Sequence, residues 1–234
     1  MLKILRYSAI ILLIFTIGIQ AQTIGGSLFM GVPQKDFKEK NDNLGFGFQL
    51  QGSLTSPGVT NPILVGLSVG FMVFSSEDKE YTTSTGFFDF TQNLNLSSNM
   101  ANIHLYLQLA PFPGPVKPYV EILGGGNYLF TTATVDLVGI DQAPLFESDV
   151  SKDDSFSDFT WSYGAGAGIL ISIVPLPEMD LYLDLKARYL KGGEAEFVTQ
   201  EDIDVNFDKG QVYFSPRKAK TDLISFHIGA TVAF

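Results

Sequence analysis

The sequence contains no cysteine, so disulfides, thiolate catalysis and cysteine-ligated metal centres are all excluded. Charge is also thin: 17% of residues are Asp, Glu, Lys or Arg, against roughly 25% in an ordinary soluble protein. Many positions must therefore sit where charge is unwelcome. Long apolar runs are missing beyond the N-terminus, and nothing after residue 21 approaches the roughly 20 residues of a helical membrane span. Basic residues are outnumbered 15 to 25, for a net charge of −10, and such a balance offers nucleic acid no cationic surface. No P-loop pattern occurs. The glycine-rich stretches GGGN (124–127) and GAGAG (164–168) run into strand-like sequence rather than the helix that a dinucleotide site needs; close packing inside a narrow barrel accounts for those glycines.

The first 21 residues stand apart. Lys3 and Arg6 precede an apolar run from Ala9 to Ile19 and then Ala21, the pattern of a secretory signal peptide. The expected organisation is a signal peptide over 1–21 and a single mature domain over 22–234. Within that domain the recurring pattern has period two. In residues 44–54, Leu44, Phe46, Phe48, Leu50 and Leu54 alternate with Gly45, Gly47, Gln49, Gln51 and Ser53, which no helix produces. Similar segments lie at 63–74, 100–110, 117–130, 159–173, 180–190 and 221–234. The last keeps Ile224, Phe226, Ile228, Ala230 and Val232 in one phase up to Phe234, although chain ends are usually polar and frayed.

The links alternate in length. Short, Pro-rich links at 55–62, 111–116 and 174–179 supply turn geometry, whereas long links occupy 75–99, 131–158 and 191–221. Antiparallel neighbours would put all short links at one end and all long ones at the other. Seven strands would leave the two termini at opposite ends, and an even count returns them to one side; residues 23–32 supply the eighth strand, with 33–43 as its loop. Of the 25 Asp and Glu, 21 fall in or at the edge of the four long links, leaving Glu121, Glu178, Asp180 and Asp184 elsewhere.

The second face of each strand decides what the apolar face meets. A strand surface in water carries Lys and Glu, but here it carries Gly, Ser, Gln, Asn, Thr and Ala, as in Thr160, Ser162, Gly164, Gly166, Gly168 and Ser172. Such residues fit a narrow interior filled by its own side chains. Asp184, Lys186 and Arg188 share that phase, and so does Glu121; Lys or Arg facing lipid near midplane would cost roughly 2–4 kcal/mol each, whereas facing inward they can pair with Asp184 and Glu121. The fold class is therefore all-β: an eight-stranded antiparallel up-and-down transmembrane β-barrel. Strands of about 11 residues span the apolar band of an outer membrane, and the last strand must pair with the first so that no backbone edge faces hydrocarbon.

With these residues in view, the mature chain resembles the small outer-membrane barrels of the OmpA and OmpX type. The resemblance implies a bacterial outer-membrane location with both termini periplasmic. It further implies that the C-terminal strand, through Ile228, Ala230, Val232 and Phe234, is read by the outer-membrane assembly machinery. Outer-membrane lipid and lipopolysaccharide are the expected surroundings of a monomer.

Candidate chemistry is sparse. His104 and His227 both fall in the inward phase, at similar distances from the short-link ends, and with Glu121 and Asp184 they admit either a metal or acid–base site or a hydrogen-bonded polar plug. The plug is the favoured alternative, because tight ligand spacing is absent. No His-x-Ser arrangement occurs, and neither His is in the lipid-facing phase that a lipid-modifying enzyme needs. No catalytic, cofactor-binding or metal-binding residue is assigned, and no cofactor is expected. The acidic run 141–158 does not match an EF-hand loop and reads as solvated. Residues 201–214 alternate Ile203, Val205 and Phe207, turn at Gly210 and resume with Val212 and Phe214, a hairpin expected to extend the wall and offer an edge to an extracellular protein within the 192–221 loop. The expected function is a non-enzymatic outer-membrane barrel with a polar-packed lumen and acidic extracellular loops, acting in envelope integrity or surface contact. An OmpW-like channel for small hydrophobic solutes is the alternative, favoured by inward Leu64, Met72, Phe74, Leu123 and Leu170. A lipid-modifying enzyme is the third reading.

Overall fold

The computed structural model describes residues 22–55, 62–84, 89–138, 151–175, 179–198, 202–206 and 211–234; the expected signal peptide lies outside these. Eight strands close a barrel in the order β1, β12, β7, β6, β5, β4, β3, β2. They are β1 (Thr23–Pro33), β2 (Gly45–Ser53), β3 (Ile63–Ser84), β4 (Asp89–Leu109), β5 (Val116–Val138), β6 (Ser151–Pro175), β7 (Asp180–Gly192) and β12 (Leu223–Ala233). Every neighbouring pair is antiparallel. The seam is β1 against β12, paired from Thr23↔Ala233 to Pro33↔Leu223, and the Phe234 N–H donates to the Gln22 carbonyl at 2.9 Å. The C-terminal alternation is thus the closing strand, and its backbone groups are satisfied where hydrocarbon would leave them bare.

Alternation sorts the side chains as two-period geometry requires. Leu28, Phe46, Phe48, Leu50, Leu105, Ile122, Trp161 and Ile228 are exposed on the outside, while Gln49, Ser68, His104, Glu121, Ser162, Asp184, Lys186 and Arg188 are buried inside. The inward apolar residues Leu64, Met72, Phe74, Leu123 and Leu170 are buried as well.

Two features depart from the sequence reading. Residues 75–99 and 131–158 were expected as links, yet β3, β4, β5 and β6 run on through much of them, reaching 21 to 25 residues. The cause is environmental: beyond the bilayer a strand no longer needs an apolar face, so SSEDKEYTTS and SKDDSFSD pair without the alternation that marks the belt. Second, the expected loop 33–43 contains a short helix, α1 (Lys35–Lys40), and the link 191–221 contains four further strands. β8 (Glu194–Phe197) pairs with β11 (Arg217–Lys220). β9 (Ile203–Asn206) pairs with β10 (Gln211–Phe214), with Val205 opposite Val212. That is the expected hairpin, but it forms a separate two-stranded sheet rather than continuing the barrel wall; its expected turn at Gly210, and Phe207, lie outside the described residues.

The barrel therefore has a short wall and a long wall. β1, β2, β7 and β12 have 9 to 13 residues. The β2–β3 pairing stops at Phe46↔Val73 and the β6–β7 pairing at Ser162↔Gly192. Above those points β3 to β6 continue as a four-stranded sheet for about ten residues, which lifts them roughly 25 Å at ~3.3 Å per residue and ~40° tilt.

Candidate functional site

The interior is layered. At the short-link end Leu64, Ala110, Tyr119, Leu170, Tyr182 and Ala233 form one apolar cluster. At the long-link end a larger one includes Phe29, Met72, Phe74, Met100, Leu123 and Leu223, and it is roofed by Phe37 of α1 and Phe197 of β8. Phe37 is fully buried, edge-on to Phe74 at 5.4 Å and to Phe197 at 5.2 Å between ring centroids.

A belt of polar side chains lies between these layers. Arg188 of β7 reaches Glu121 of β5 with two hydrogen bonds, Nε to Oε1 at 2.5 Å and Nη2 to Oε2 at 3.1 Å, and its Nη1 donates to Gln49 Oε1 of β2 at 2.6 Å. Asp184 accepts from Lys186 Nζ at 3.2 Å, Gln51 Nε2 at 3.1 Å and Tyr119 OH at 2.6 Å, and Lys186 Nζ also donates to Gln51 Oε1. Each of the four ions has an opposite charge, and Arg188, Asp184 and Lys186 have neutral partners besides, as burial demands. The expected pairing of Lys186 and Arg188 with Asp184 and Glu121 is what forms.

Several of these contacts join strands that are not neighbours, and glycine makes this possible. Gly166 of β6 is opposite both Glu121 and Arg188 in the register; a Cβ there would sit 2.9 Å from Glu121 Oε1 and 2.9 Å from Arg188 Cγ. Gly125 of β5 lies between His104 of β4 and Ser162 of β6 in the same way, and across it His104 Nε2 meets Ser162 Oγ at 2.6 Å. A side chain at Gly166 would stand between Arg188 and Glu121, and one at Gly125 would strike the β4 backbone at Ile103 and His104.

That His104–Ser162 contact was missed by the sequence reading, which looked for nearness along one strand. Ser162 Oγ in turn donates to Asn127 Oδ1 at 3.1 Å. His227 is occupied separately: Nε2 meets Ser225 Oγ at 2.8 Å, Nδ1 meets Ser27 Oγ at 3.4 Å, and the ring stacks on Phe29 with centroids 4.8 Å apart. The two histidines share the belt but no partner. Among the described residues no three His, Asp or Glu side chains converge as a metal site. His104, Ser162, Ser225 and His227 are buried in the interior, and Ser27 is half-buried.

The rim of the short wall carries a second cluster. Lys35 Nζ donates to Tyr189 OH and Asp222 Oδ2, both at 3.0 Å, and Asp222 also accepts from Tyr189 OH at 3.1 Å and from the Gly192 N–H at 3.1 Å. Burial alone would raise the Asp222 carboxyl, but the bonds from Lys35, Tyr189 and Gly192 with the Lys35 charge outweigh it and hold it below the usual carboxylate range. The Lys35 ammonium is raised by its bonds to Tyr189 and Asp222. Lys35 adopts φ 50°, a left-handed conformation uncommon outside glycine, at the point where β1 gives way to α1.

The family model described as outer membrane protein beta-barrel domain matches residues 8–234. Among solved structures, neisserial surface protein A (NspA) aligns with 14% identity over 90% of this chain and 95% of its own, with a TM-score of 0.41. The Ail attachment invasion locus protein of Yersinia pestis, solved in complex with the heparin analogue sucrose octasulfate, aligns with 16% identity over 91% and 97%, TM-score 0.35. A major outer membrane protein of Thermus thermophilus aligns with 15% identity over 91% and 99%, TM-score 0.38. No curated protein sequence matches.

Proposed function

The chain belongs to the outer membrane protein β-barrel family, a family of the bacterial outer membrane, and on that premise we propose that it is a non-enzymatic surface-contact protein whose lumen is a packed strut rather than a passage. The observation that carries this reading is the pairing of a crossed interior with a projecting wall. The ionic belt spans the axis from β7 to β5 and β2, and Phe37 and Phe197 roof it, while β3 to β6 reach about ten residues past their short-wall neighbours. A sheet that leaves the bilayer in this way does nothing for the barrel's own closure; what it adds is accessible surface and two strand edges above the membrane.

In this reading residues 1–21 direct export, both termini are periplasmic, and the long wall, the β8–β11 and β9–β10 hairpins and α1 face outside. Ile228, Ala230, Val232 and Phe234 are the assembly signal of a monomer, and lipopolysaccharide is its neighbour. Protein partners meet the long wall or the 192–221 segment. Replacing residues 77–95 with a two-residue turn is expected to leave heat-modifiable gel mobility, the mark of a folded barrel, intact while abolishing binding of cells to host or neighbouring-cell surfaces. Unchanged adhesion in a folded truncation would oppose the reading.

The channel reading draws on the apolar residues at both ends of the lumen, but the belt between them is charged, so a continuous apolar path is interrupted at Arg188 and Glu121. Planar-bilayer recordings are expected to show no large, steady conductance. The enzymatic reading draws on His104 and Ser162, which face away from lipid; an altered lipid A mass profile on expression of the protein would revive it.

A further inference from the structure

The outer face of the short wall holds a shallow, open apolar groove lined by Leu28, Met30, Phe46, Phe48, Phe226 and Ile228. It spans β1, β2 and β12 within the apolar belt. On the same strands, one to two residue pairs higher, Val32 is opposite Ile224 and Ile224 opposite Tyr189, and there Lys35 lies over the Tyr189 ring, its Nζ 5.7 Å from the centroid. Tyr163 and Trp161 are strongly exposed on the outer face beside them, and outward Tyr and Trp mark the level of lipid headgroups. Lys191, two residues above Tyr189 on the same face of β7 and opposite Tyr163, is exposed. Lys35 remains 63% exposed after donating two of its three protons to Tyr189 and Asp222.

Charge is divided between the walls in the same sense. Segments 75–99 and 131–158, which the long wall carries, hold 11 Asp and Glu against 2 Lys. The short-wall links 33–43 and 191–222 hold 8 Lys and Arg against 10 Asp and Glu. An anionic surface is repelled far more strongly by the first than by the second, where Lys35 and Lys191 stand exposed at the rim.

We propose that the short-wall rim and the groove beneath it form one seat for a phosphorylated lipid of the outer leaflet, with the phosphate between Lys35 and Lys191 at the level of Tyr189 and an acyl chain in the groove. The groove selects for a chain lying flat against the barrel between Phe46, Phe48 and Phe226, and the two ammonium groups select for phosphate. Asp222, together with Tyr189, holds the Lys35 ammonium at the rim, which gives a purpose to the unusual backbone at Lys35. The seat rests on the proposed orientation, with the long-link end outside.

The test uses the full mature protein in detergent, exposed to bis-phosphorylated lipid A, to lipid A stripped of phosphate and to phosphatidylglycerol, with retained lipid read by native mass spectrometry. Wild type is expected to retain bis-phosphorylated lipid A and to lose at least tenfold in retention with the phosphate-free form. Lys191→Glu, which breaks no side-chain hydrogen bond or ion pair among the described residues, is expected to lower retention about tenfold, and Met30→Trp, which fills the groove, to lower it with phosphate present. Equal retention by wild type and both variants overturns the seat, as does equal retention with and without phosphate or a preference for phosphatidylglycerol. Labelling of Lys220→Cys by an impermeant maleimide on intact cells tests orientation separately. No labelling there with retention intact in detergent would overturn the placement in the outer leaflet and not the phosphate chemistry.

Discussion

The short wall and the long wall are built from the same alternating strands but are asked to meet different media, and the contrast shows what each medium demands of a sequence. Along β1, β2, β7 and β12 most outward positions carry large apolar side chains, because charge turned toward lipid is costly. Along the upper halves of β3 and β6 the apolar alternation fades and Ser, Asp, Glu and Thr take over. The two walls meet through the lumen: Arg188 and Gln49 belong to the short wall and Glu121 to the long one.

The sharpest way to break that connection is to remove one side of it. Glu121→Leu leaves the Arg188 guanidinium buried without its counter-charge, and the expected loss is about 3–5 kcal/mol, read as a lower denaturant midpoint in detergent micelles. Replacing both partners with Met is expected to recover most of it, because a buried pair contributes little beyond a well-packed apolar one. Gly166→Val tests the same connection from the middle strand, since its side chain would enter the space that Arg188 and Glu121 share; the expected loss is similar, and an unchanged midpoint would show that the two walls are joined elsewhere.

The roof is the next contact between the walls. Phe37 belongs to the short-wall connection and leans on Phe74 of β3. Phe37→Ala is expected to cost about 3 kcal/mol and to increase hydrogen exchange at the amides of α1, whose Asn41 N–H bonds the Phe37 carbonyl at 2.7 Å. Exchange unchanged from wild type would mean that the roof is held by β8 and β11 alone.

How much of this was readable beforehand depends on the medium that each segment meets. The belt was legible because lipid forces period-two alternation, and the inward phase of Glu121, Asp184, Lys186 and Arg188 followed from the cost of exposing them. The seam was legible because the apolar phase runs through Val232 to Phe234. The long wall was not, because strands such as Ser75–Ser84 in water carry no two-faced pattern and read as loop. The helix α1 was hidden for a related reason: one buried residue, Phe37, holds it in place, and a single apolar residue among Lys and Glu makes no period. His104 meeting Ser162 lay beyond reach because it depends on two strand registers and on the empty position of Gly125 between them.

The smallest expected effect lies within the short wall, at the Lys35–Asp222 latch beneath α1. The Asp222 carboxyl is held below its ordinary value, so its share of stability is present above about pH 4 and is lost as pH falls through the depressed value. Lys35 is raised, so its share is present below about pH 10 and is lost as pH rises past its raised value. Between these limits the latch stays closed. Acidification below about pH 4 is therefore expected to lower the protection of the α1 amides, measured against the intrinsic exchange rate at each pH, before the barrel itself opens, and Asp222→Asn to lower it at neutral pH; α1 protection that is flat from about pH 7 to about pH 3 would exclude the latch.

The most direct measurement uses Trp161, the chain's one tryptophan, which is 73% exposed on the outer face of β6, one residue above the last β6–β7 pair. It marks the height at which the two walls part. In vesicles containing lipids brominated at a shallow or a deep acyl position, its fluorescence is expected to be quenched strongly by the shallow label, weakly by the deep one and little by aqueous iodide. Quenching by iodide with no effect of either brominated lipid would contradict an apolar face turned toward the bilayer, and with it the division of the barrel into a wall that ends at the membrane and a wall that leaves it.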